Sequence, residues 1–274
     1  RGKIDFCLPW HDRFCLPLSS GVCYNCSIKP CRRRQQVYND ELFSRTRALL
    51  GGDAMQKLRD AHVCVFGVGG VGGYVAEMLA RCGVGCITLF DSDRVSLTNR
   101  NRQIIALDST TGMLKTSAMA ERLRDINPQI QVFEQPVFYT PENADSYPLT
   151  RFNYVADCID TIQSKIELIC RAKAAGVRII SAMGAGNRLD PTKFKVADIY
   201  KTSVCGLARR VRYELRRKGI DSLKVVYSDE QPLTPSEQVS DESGSGRTPP
   251  ASIAFAPAAM GIVIASEIVK DLTT

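Results

Sequence analysis

The feature that most limits what this chain can become is a glycine loop. Gly67-Val-Gly69-Gly70-Val-Gly72-Gly73 follows the apolar run His62-Val-Cys-Val-Phe66 and opens a helical pattern over 74–81. A buried strand, a glycine turn and a helix, in that order, build the phosphate-binding corner of a doubly wound sheet. Glycine lets the backbone turn tightly and approach an anion, and the helix N-terminus offers unsatisfied N–H groups to it. Asp91 stands 19 residues beyond Gly72, at the end of a second apolar run, Cys86–Phe90. An acidic side chain there can take ribose hydroxyls. To this point a nicotinamide cofactor and ATP fit equally well.

The remaining runs keep alternating. A helix is expected over 112–127, stopped by Pro128, and strands over 130–133 and 154–158. A helix over 165–175 ends at Gly176, a strand covers 177–181, and the chain closes with a helix over 256–272. Continuous apolar strands alternating with helices predict an α/β fold with a mainly parallel sheet covered on both faces. Residues 230–250, rich in Pro, Ser and Gly, read as a mobile loop.

Composition narrows the classes. With 274 residues, 44% hydrophobic and 24% charged, the chain is neither wholly disordered nor fibrous. Its longest apolar stretch, 253–265, has 13 residues. A bilayer helix needs about 20, so neither a membrane span nor a membrane partner is expected. The net charge is +7, of which residues 1–40 carry +4. That head also holds Cys7, His11, Cys15, Cys23, Cys26 and Cys31. Cys23-x-x-Cys26 has metal-knuckle spacing, but no second pair completes a four-ligand site, so zinc is not expected. Residues 1–37 therefore read as a disordered or extraneous cysteine-rich head, and 38–274 as one domain. Cys64, Cys82, Cys86, Cys158, Cys170 and Cys205 are scattered through apolar segments and behave as small hydrophobes, which predicts a reducing, cytoplasmic setting.

The stretch after Asp91 separates ATP from a nicotinamide. Asn99, Arg102 and Gln103 form a polar, basic cluster that a dehydrogenase does not need. A triphosphate uses it, because arginine presents a planar fork of donors and amides add neutral ones. Lys115 can bring a compact cation to a phosphate. Asp157 and Asp160 sit at the end of the 154–158 strand, where a carboxylate can hold magnesium together with substrate phosphates. Singly, Lys115 reads as a solvated helix lysine, Arg102 as a surface ion-pair partner, and either aspartate as a cap. The ordered set is much less expected by chance.

That set resembles the ubiquitin-activating-enzyme-like adenylating proteins. The resemblance runs through the glycine loop, Asp91-x-Asp93-x-Val95-x-x-x-Asn99-x-x-Arg102-Gln103, Gly112-x-x-Lys115 and Asp157-x-x-Asp160. Within these proteins the chain is most similar to the tRNA threonylcarbamoyladenosine dehydratases, over about residues 41–272. Phe43-Ser-Arg45-Thr46, Asn127-Pro128, Gly184-Ala-Gly186, Asp190-Pro191, Lys201-Thr-Ser203 and Pro250-Ala-Ser252-Ile-Ala-Phe255-Ala-Pro257 take part. The resemblance implies a Rossmann-like ATP-binding fold with a crossover segment and a C-terminal helix. It implies ATP cradled by Gly67, Gly69, Gly70 and Gly72, ribose on Asp91, and Asn99, Arg102, Gln103 and Lys115 around the triphosphate. Asp160 would hold Mg²⁺, and Arg45, with neighbouring Arg47 as its alternative, would act across a homodimer. The implied substrate is the threonyl carboxylate of threonylcarbamoyladenosine in tRNA, adenylated and then cyclised. A monovalent cation and sulfur-relay protein partners stay open.

Arg102, Lys115, Mg²⁺ and Arg45 are then the charge-stabilising set, since a carboxylate attacking phosphorus needs no general base. Cys205, in Lys201-Thr-Ser-Val-Cys205-Gly, lies where carrier-activating relatives place a reactive cysteine. It keeps open adenylation of the C-terminus of a ubiquitin-fold sulfur carrier, although the paired zinc knuckles of those relatives are missing downstream. A nucleotide-binding module without chemistry, or a nicotinamide enzyme, is the remaining alternative. Finally, Arg209, Arg212 and Arg216 recur at i, i+3 and i+7 on an expected helix over 206–219, a stripe that can grip tRNA phosphates or face solvent.

Overall fold

The computed structural model describes residues 41–237 and 249–274; the cysteine-rich head and the middle of the 230–250 segment lie outside them. The described chain starts with two short helices, α1 (Ser44–Leu50) and α2 (Gly52–Asp60), absent from the sequence reading. The glycine corner follows as expected: β1 (His62–Phe66), the loop, and α3 (Gly72–Arg81). Next come β2 (Cys86–Phe90), α4 (Lys115–Ile126), β3 (Gln131–Gln135), β4 (Tyr154–Asp157) and α5 (Ile162–Ala174). The last part holds β5 (Arg178–Ala182), β6 (Phe194–Asp198), α6 (Gly206–Arg217), β7 (Lys224–Ser228) and α7 (Phe255–Thr273).

The strands form one sheet in the order β3-β2-β1-β4-β5-β7-β6. All pairs are parallel except β6 with β7, which is antiparallel. Strand order reverses between β1 and β4, so the crevice at their carboxyl ends is where such a sheet takes its ligand. β1 and β4 are buried on both faces and read as apolar runs for that reason. β6, at the edge, exposes Lys195 and Val196 and shows no apolar run, which is why its sequence gave no strand signal.

Two cores flank the sheet. On one face α3 packs against β1 and β4, α4 against β2, and α7 against α3 and the strands β5, β7 and β6, with Leu79, Ile87, Met260 and Ile264 fully buried. On the other, α5 and α6 contribute Leu168, Ile169, Val211 and Leu215. The α3–α7 contact is close enough that a Cβ on Gly261 would stand 2.5 Å from the Val71 carbonyl oxygen. This clamps the start of α3, and with it the glycine loop, onto the C-terminal helix.

One boundary shift bears on the site. The helix expected from 112 begins at Lys115. Gly112 has φ of 88°, its N–H donates to the Val95 carbonyl at 2.9 Å, and the Val95 N–H returns to Met113 at 2.9 Å. These bonds keep 112–114 out of the helix, as a turn leading into an isolated bridge between Leu114 and Arg94, and pin the first residue of α4 beside the chain that leaves β2.

Candidate active site

The glycine loop is shaped by contacts that tolerate no side chain. Gly67 has φ of 85°, and a Cβ there would lie 2.7 Å from the Cys158 carbonyl oxygen; one on Gly72 would lie 1.8 Å from that of Gly67. Backbone therefore lies on backbone from β1 across to β4. Gly70 faces a different constraint, with the Arg102 stem and Pro257 of α7 at 3.5 and 3.3 Å from its Cβ position.

Asp91 is tied to this loop directly. Its carboxylate accepts the Val68 N–H at 2.7 Å and the Asp93 N–H at 2.8 Å. Burial pushes its carboxyl above the ordinary carboxylate range, against the pull of Lys115 and of those two N–H groups. The Lys115 N–H donates to the Asp93 carbonyl at 2.9 Å, and its ammonium reaches the Asp93 carboxylate at 2.7 Å. Lys115 is 6% exposed. It is not the solvated helix lysine that a single-residue reading suggests.

Asn99, Arg102 and Gln103 arrive on one tight turn, with the Arg102 and Gln103 N–H groups donating to the Asn99 carbonyl at 3.1 and 2.9 Å. Asn99 spends Oδ1 on the Ser96 N–H at 3.2 Å, which leaves Nδ2 as its donor. Arg102 is braced by the Thr98 carbonyl at 3.0 Å and Asn101 Oδ1 at 2.9 Å. Gln103 is buried, its Nε2 lies 3.8 Å from the Cβ position of Gly69, and its Oε1 meets no partner among the described residues. A buried orphan acceptor against a glycine loop is what a nucleotide donor would satisfy.

Asp157 and Asp160 have separate settings. Asp157 is fully buried and ion-paired with Lys165, while Asp160 is exposed just beyond β4 with the Thr161 hydroxyl at 3.4 Å. No cluster of three or more His, Cys, Asp or Glu exists among the described residues. Magnesium is commonly held by one or two carboxylates plus substrate phosphates, so an exposed Asp160 fits that use. Lys165 carried no signal in the reading above. The clue was a lysine inside the stripe Ile166, Leu168, Ile169 and Ala172, eight positions after a strand-end aspartate.

The other expected residues are carried by α1 and α6 and the residue before α6. Arg45 is exposed on α1, which packs on α2. Cys205 is 4% exposed at the start of α6, behind Val204, whose φ is 46°. Arg209 and Arg216 are exposed on α6, but Arg212 turns inward and donates to the Thr202 carbonyl at 3.0 Å and to the Thr202 hydroxyl.

The sequence pattern of the ThiF family matches residues 43–274. The chain belongs to the ThiF family. A relative from Bacillus subtilis, a tRNA threonylcarbamoyladenosine dehydratase, is 41% identical over 238 residues, covering 84% of this chain and 94% of the relative. The Escherichia coli tRNA N6-threonylcarbamoyladenosine dehydratase TcdA, solved in complex with ATP, has a TM-score of 0.77 at 36% identity, covering 85% of this chain and 94% of that one. A Candida glabrata adenylyltransferase and sulfurtransferase matches at 35% identity over 47% of this chain. The Bacillus subtilis dehydratase and TcdA thus cover 84% and 85% of this ThiF-family chain, and the sulfurtransferase 47%.

Proposed function

We propose that this chain uses ATP to adenylate the threonyl carboxylate of threonylcarbamoyladenosine in tRNA and then closes it into the cyclic form. The observation that carries the proposal is the pairing of a nucleotide corner with a near full-length match to dehydratases, one of whose structures holds ATP. The Cys205 alternative has less support: the thiol is buried, and the sulfurtransferase match covers under half of the chain.

The residues suit the reaction. Asp91, fixed by two backbone N–H groups, presents its carboxylate to the ribose. Gly67, Gly69, Gly70 and Gly72 let the phosphates approach the N-terminus of α3. The substrate carboxylate attacks the α-phosphorus, an acyl–phosphate bond forms, and the bond to the β-phosphate breaks to release pyrophosphate. Arg102 and Lys115 lower the cost of the charge gathered on the phosphates. Lys115 waits on Asp93, whose carboxylate keeps the ammonium aimed at the corner. An oxygen or nitrogen of the carbamoyl arm then closes on the acyl carbon, an N–H proton of that arm passes to solvent, and the acyl carbon–oxygen bond breaks to release AMP. Mg²⁺ on Asp160 would add charge neutralisation when bound. Arg45 on α1 would reach the site of a second copy in a homodimer. The setting is a reducing cytoplasm.

The test is ATP–pyrophosphate exchange with modified tRNA, unmodified tRNA and ubiquitin-fold carriers. Exchange only with modified tRNA, lost by about 10²–10³-fold in Arg102→Ala and Lys115→Ala, supports the proposal. Exchange driven by a carrier protein would overturn it.

A further inference from the structure

Arg188 and Leu189 are placed against their solubilities. Arg188 is 5% exposed, whereas Leu189 beside it is 50% exposed. The inversion is built by the backbone. Asn187 takes φ of 56°, a left-handed conformation that asparagine tolerates better than most residues. Its N–H donates to the Ala251 carbonyl at 2.8 Å and its carbonyl accepts the Leu233 N–H at 2.9 Å. The Leu189 and Asp190 N–H groups both donate to the Glu230 carboxylate at 3.1 Å. Anchored on both sides, the turn sends the guanidinium in and the leucine out.

Among the described residues, Arg188 Nε and Nη1 are buried without a hydrogen-bond partner, and so is Asn187 Oδ1. Glu230, the carboxylate brought to this turn, is spent on backbone N–H groups. A desolvated cation with unpaired donors is among the costliest arrangements a fold can hold. Such groups persist where a ligand completes them.

The sheet order says which ligand. Along the carboxyl edge, Asp91 follows β2, the glycine loop follows β1, Asp160 follows β4, and the 184–190 turn follows β5. Adjacent strands are about 4.8 Å apart. Arg188 thus belongs to the next wall beyond Asp160, on the side away from the ribose carboxylate. The 250–252 segment spans the remaining distance. Pro250 Cβ lies 2.6 Å from the Cβ position of Gly186, and the Ser252 carbonyl accepts the Asn101 amide at 3.1 Å, next to Arg102. What enters beyond the phosphates is the group that reacts with them.

We propose that Arg188, with Asn187, receives the carbamoylated threonine of the substrate. Guanidinium donors meet its carbonyl and carboxylate oxygens, and Asn187 Oδ1 accepts a ureido N–H. This rests on the tRNA reading above and adds the residues that recognise the modification itself. Neither residue was singled out by the sequence as a ligand.

The experiment compares Arg188→Gln and Arg188→Lys with the wild-type chain. Melting temperature is measured with and without ATP. Turnover is measured on modified tRNA and on the free modified nucleoside, and affinity on unmodified tRNA. Arg188→Gln should melt no lower than wild type, because it removes an unpaired buried cation, and should keep its stabilisation by ATP. Its KM for modified tRNA and for the free nucleoside should rise about 10- to 100-fold, the range of hydrogen bonds to a charged group. Affinity for unmodified tRNA should not move, and Arg188→Lys should recover part of the loss. Equal weakening for modified and unmodified tRNA, with the nucleoside unaffected, would mean a backbone phosphate contact and overturn the assignment. A lower melting temperature with unchanged KM would make Arg188 a structural cation and overturn it as well. If wild type turns over modified tRNA, either result removes Arg188 alone; no wild-type turnover removes the proposed function and this assignment together.

Discussion

The Lys165 ammonium stands 2.7 Å from the Asp157 carboxylate, with neither side chain exposed. The same ammonium donates to Ser181 Oγ at 3.1 Å and to the Ala182 carbonyl at 3.0 Å, and the second carboxylate oxygen accepts the Ile159 N–H at 3.1 Å. The network joins the ends of β4 and β5 to α5 and fixes the turn that leads to Asp160. Its members depend on one another, because either charge alone would be buried without compensation. Lys165→Met should therefore cost about 3–5 kcal/mol of stability. Adding Asp157→Asn to it should recover most of that loss. Urea unfolding of the two singles and the double decides the point; a double as unstable as the sum of the singles would contradict it.

The glycine loop predicts a graded series. Gly72→Ala puts a methyl 1.8 Å from a backbone oxygen, and Gly67→Ala combines a 2.7 Å clash with a positive φ. Neither neighbour can move without breaking the β1–β4 corner. Both variants should lose ATP-induced thermal stabilisation altogether. Gly70→Ala meets only the Pro257 ring and the flexible Arg102 stem, at 3.3 and 3.5 Å. It should keep ATP binding, with affinity reduced by roughly tenfold or less, about 1.4 kcal/mol. A reversed order would mean that the loop rearranges on nucleotide binding.

His62 supplies a pH dependence. Burial, reinforced by the Arg151 charge, lowers its pKa from 6.5 to about 4. Its Nε2 lies 2.8 Å from Thr88 Oγ1, and its ring meets Phe152 edge-on at 4.8 Å. The unfolded chain takes up a proton near pH 6.5 that the folded chain refuses until about pH 4. Stability should therefore be intact above pH 6.5 and fall through that window, by roughly 1–2 kcal/mol after discounting for partial exposure. His62→Gln should flatten this part of the profile. Unfolding free energies at pH 7 and pH 5, wild type against variant, measure it.

What was legible in the sequence follows from what is local. β1, β2 and β4 are buried on both faces, so they are written as apolar runs, and the glycine corner is written as glycines. Asp91, Asn99, Arg102, Gln103 and Lys115 could be read because their spacing is set by one loop and the start of one helix. β6 was not legible: as an edge strand pairing only with β7, it has polar positions facing water. Lys165 and Arg188 were not legible either, since each is buried by elements distant in sequence. Nothing in the composition around a lysine or an arginine says that its partner will be a strand-end aspartate, or that it will have none.

The arginine stripe on α6 shows the same limit, and its dissection is a prediction. By spacing, Arg209, Arg212 and Arg216 are equivalent. In the fold, Arg212 is half-buried and holds the turn before α6 through the Thr202 carbonyl and hydroxyl. Arg209 is exposed, and Arg216 is exposed with its guanidinium 5.2 Å from the Tyr200 ring centre. Arg212→Ala should thus destabilise the fold by about 1–3 kcal/mol, the cost of orphaning buried acceptors. Arg209→Ala should leave stability within about 0.5 kcal/mol of wild type. If α6 grips tRNA, Arg209→Ala should lower the slope of log affinity against log salt by about 1, and Arg216→Ala by a similar amount. Filter binding at several salt concentrations, alongside thermal melts, separates the roles. A slope unchanged in both Arg209→Ala and Arg216→Ala would take α6 out of the tRNA interface, whatever Arg212 does for the fold.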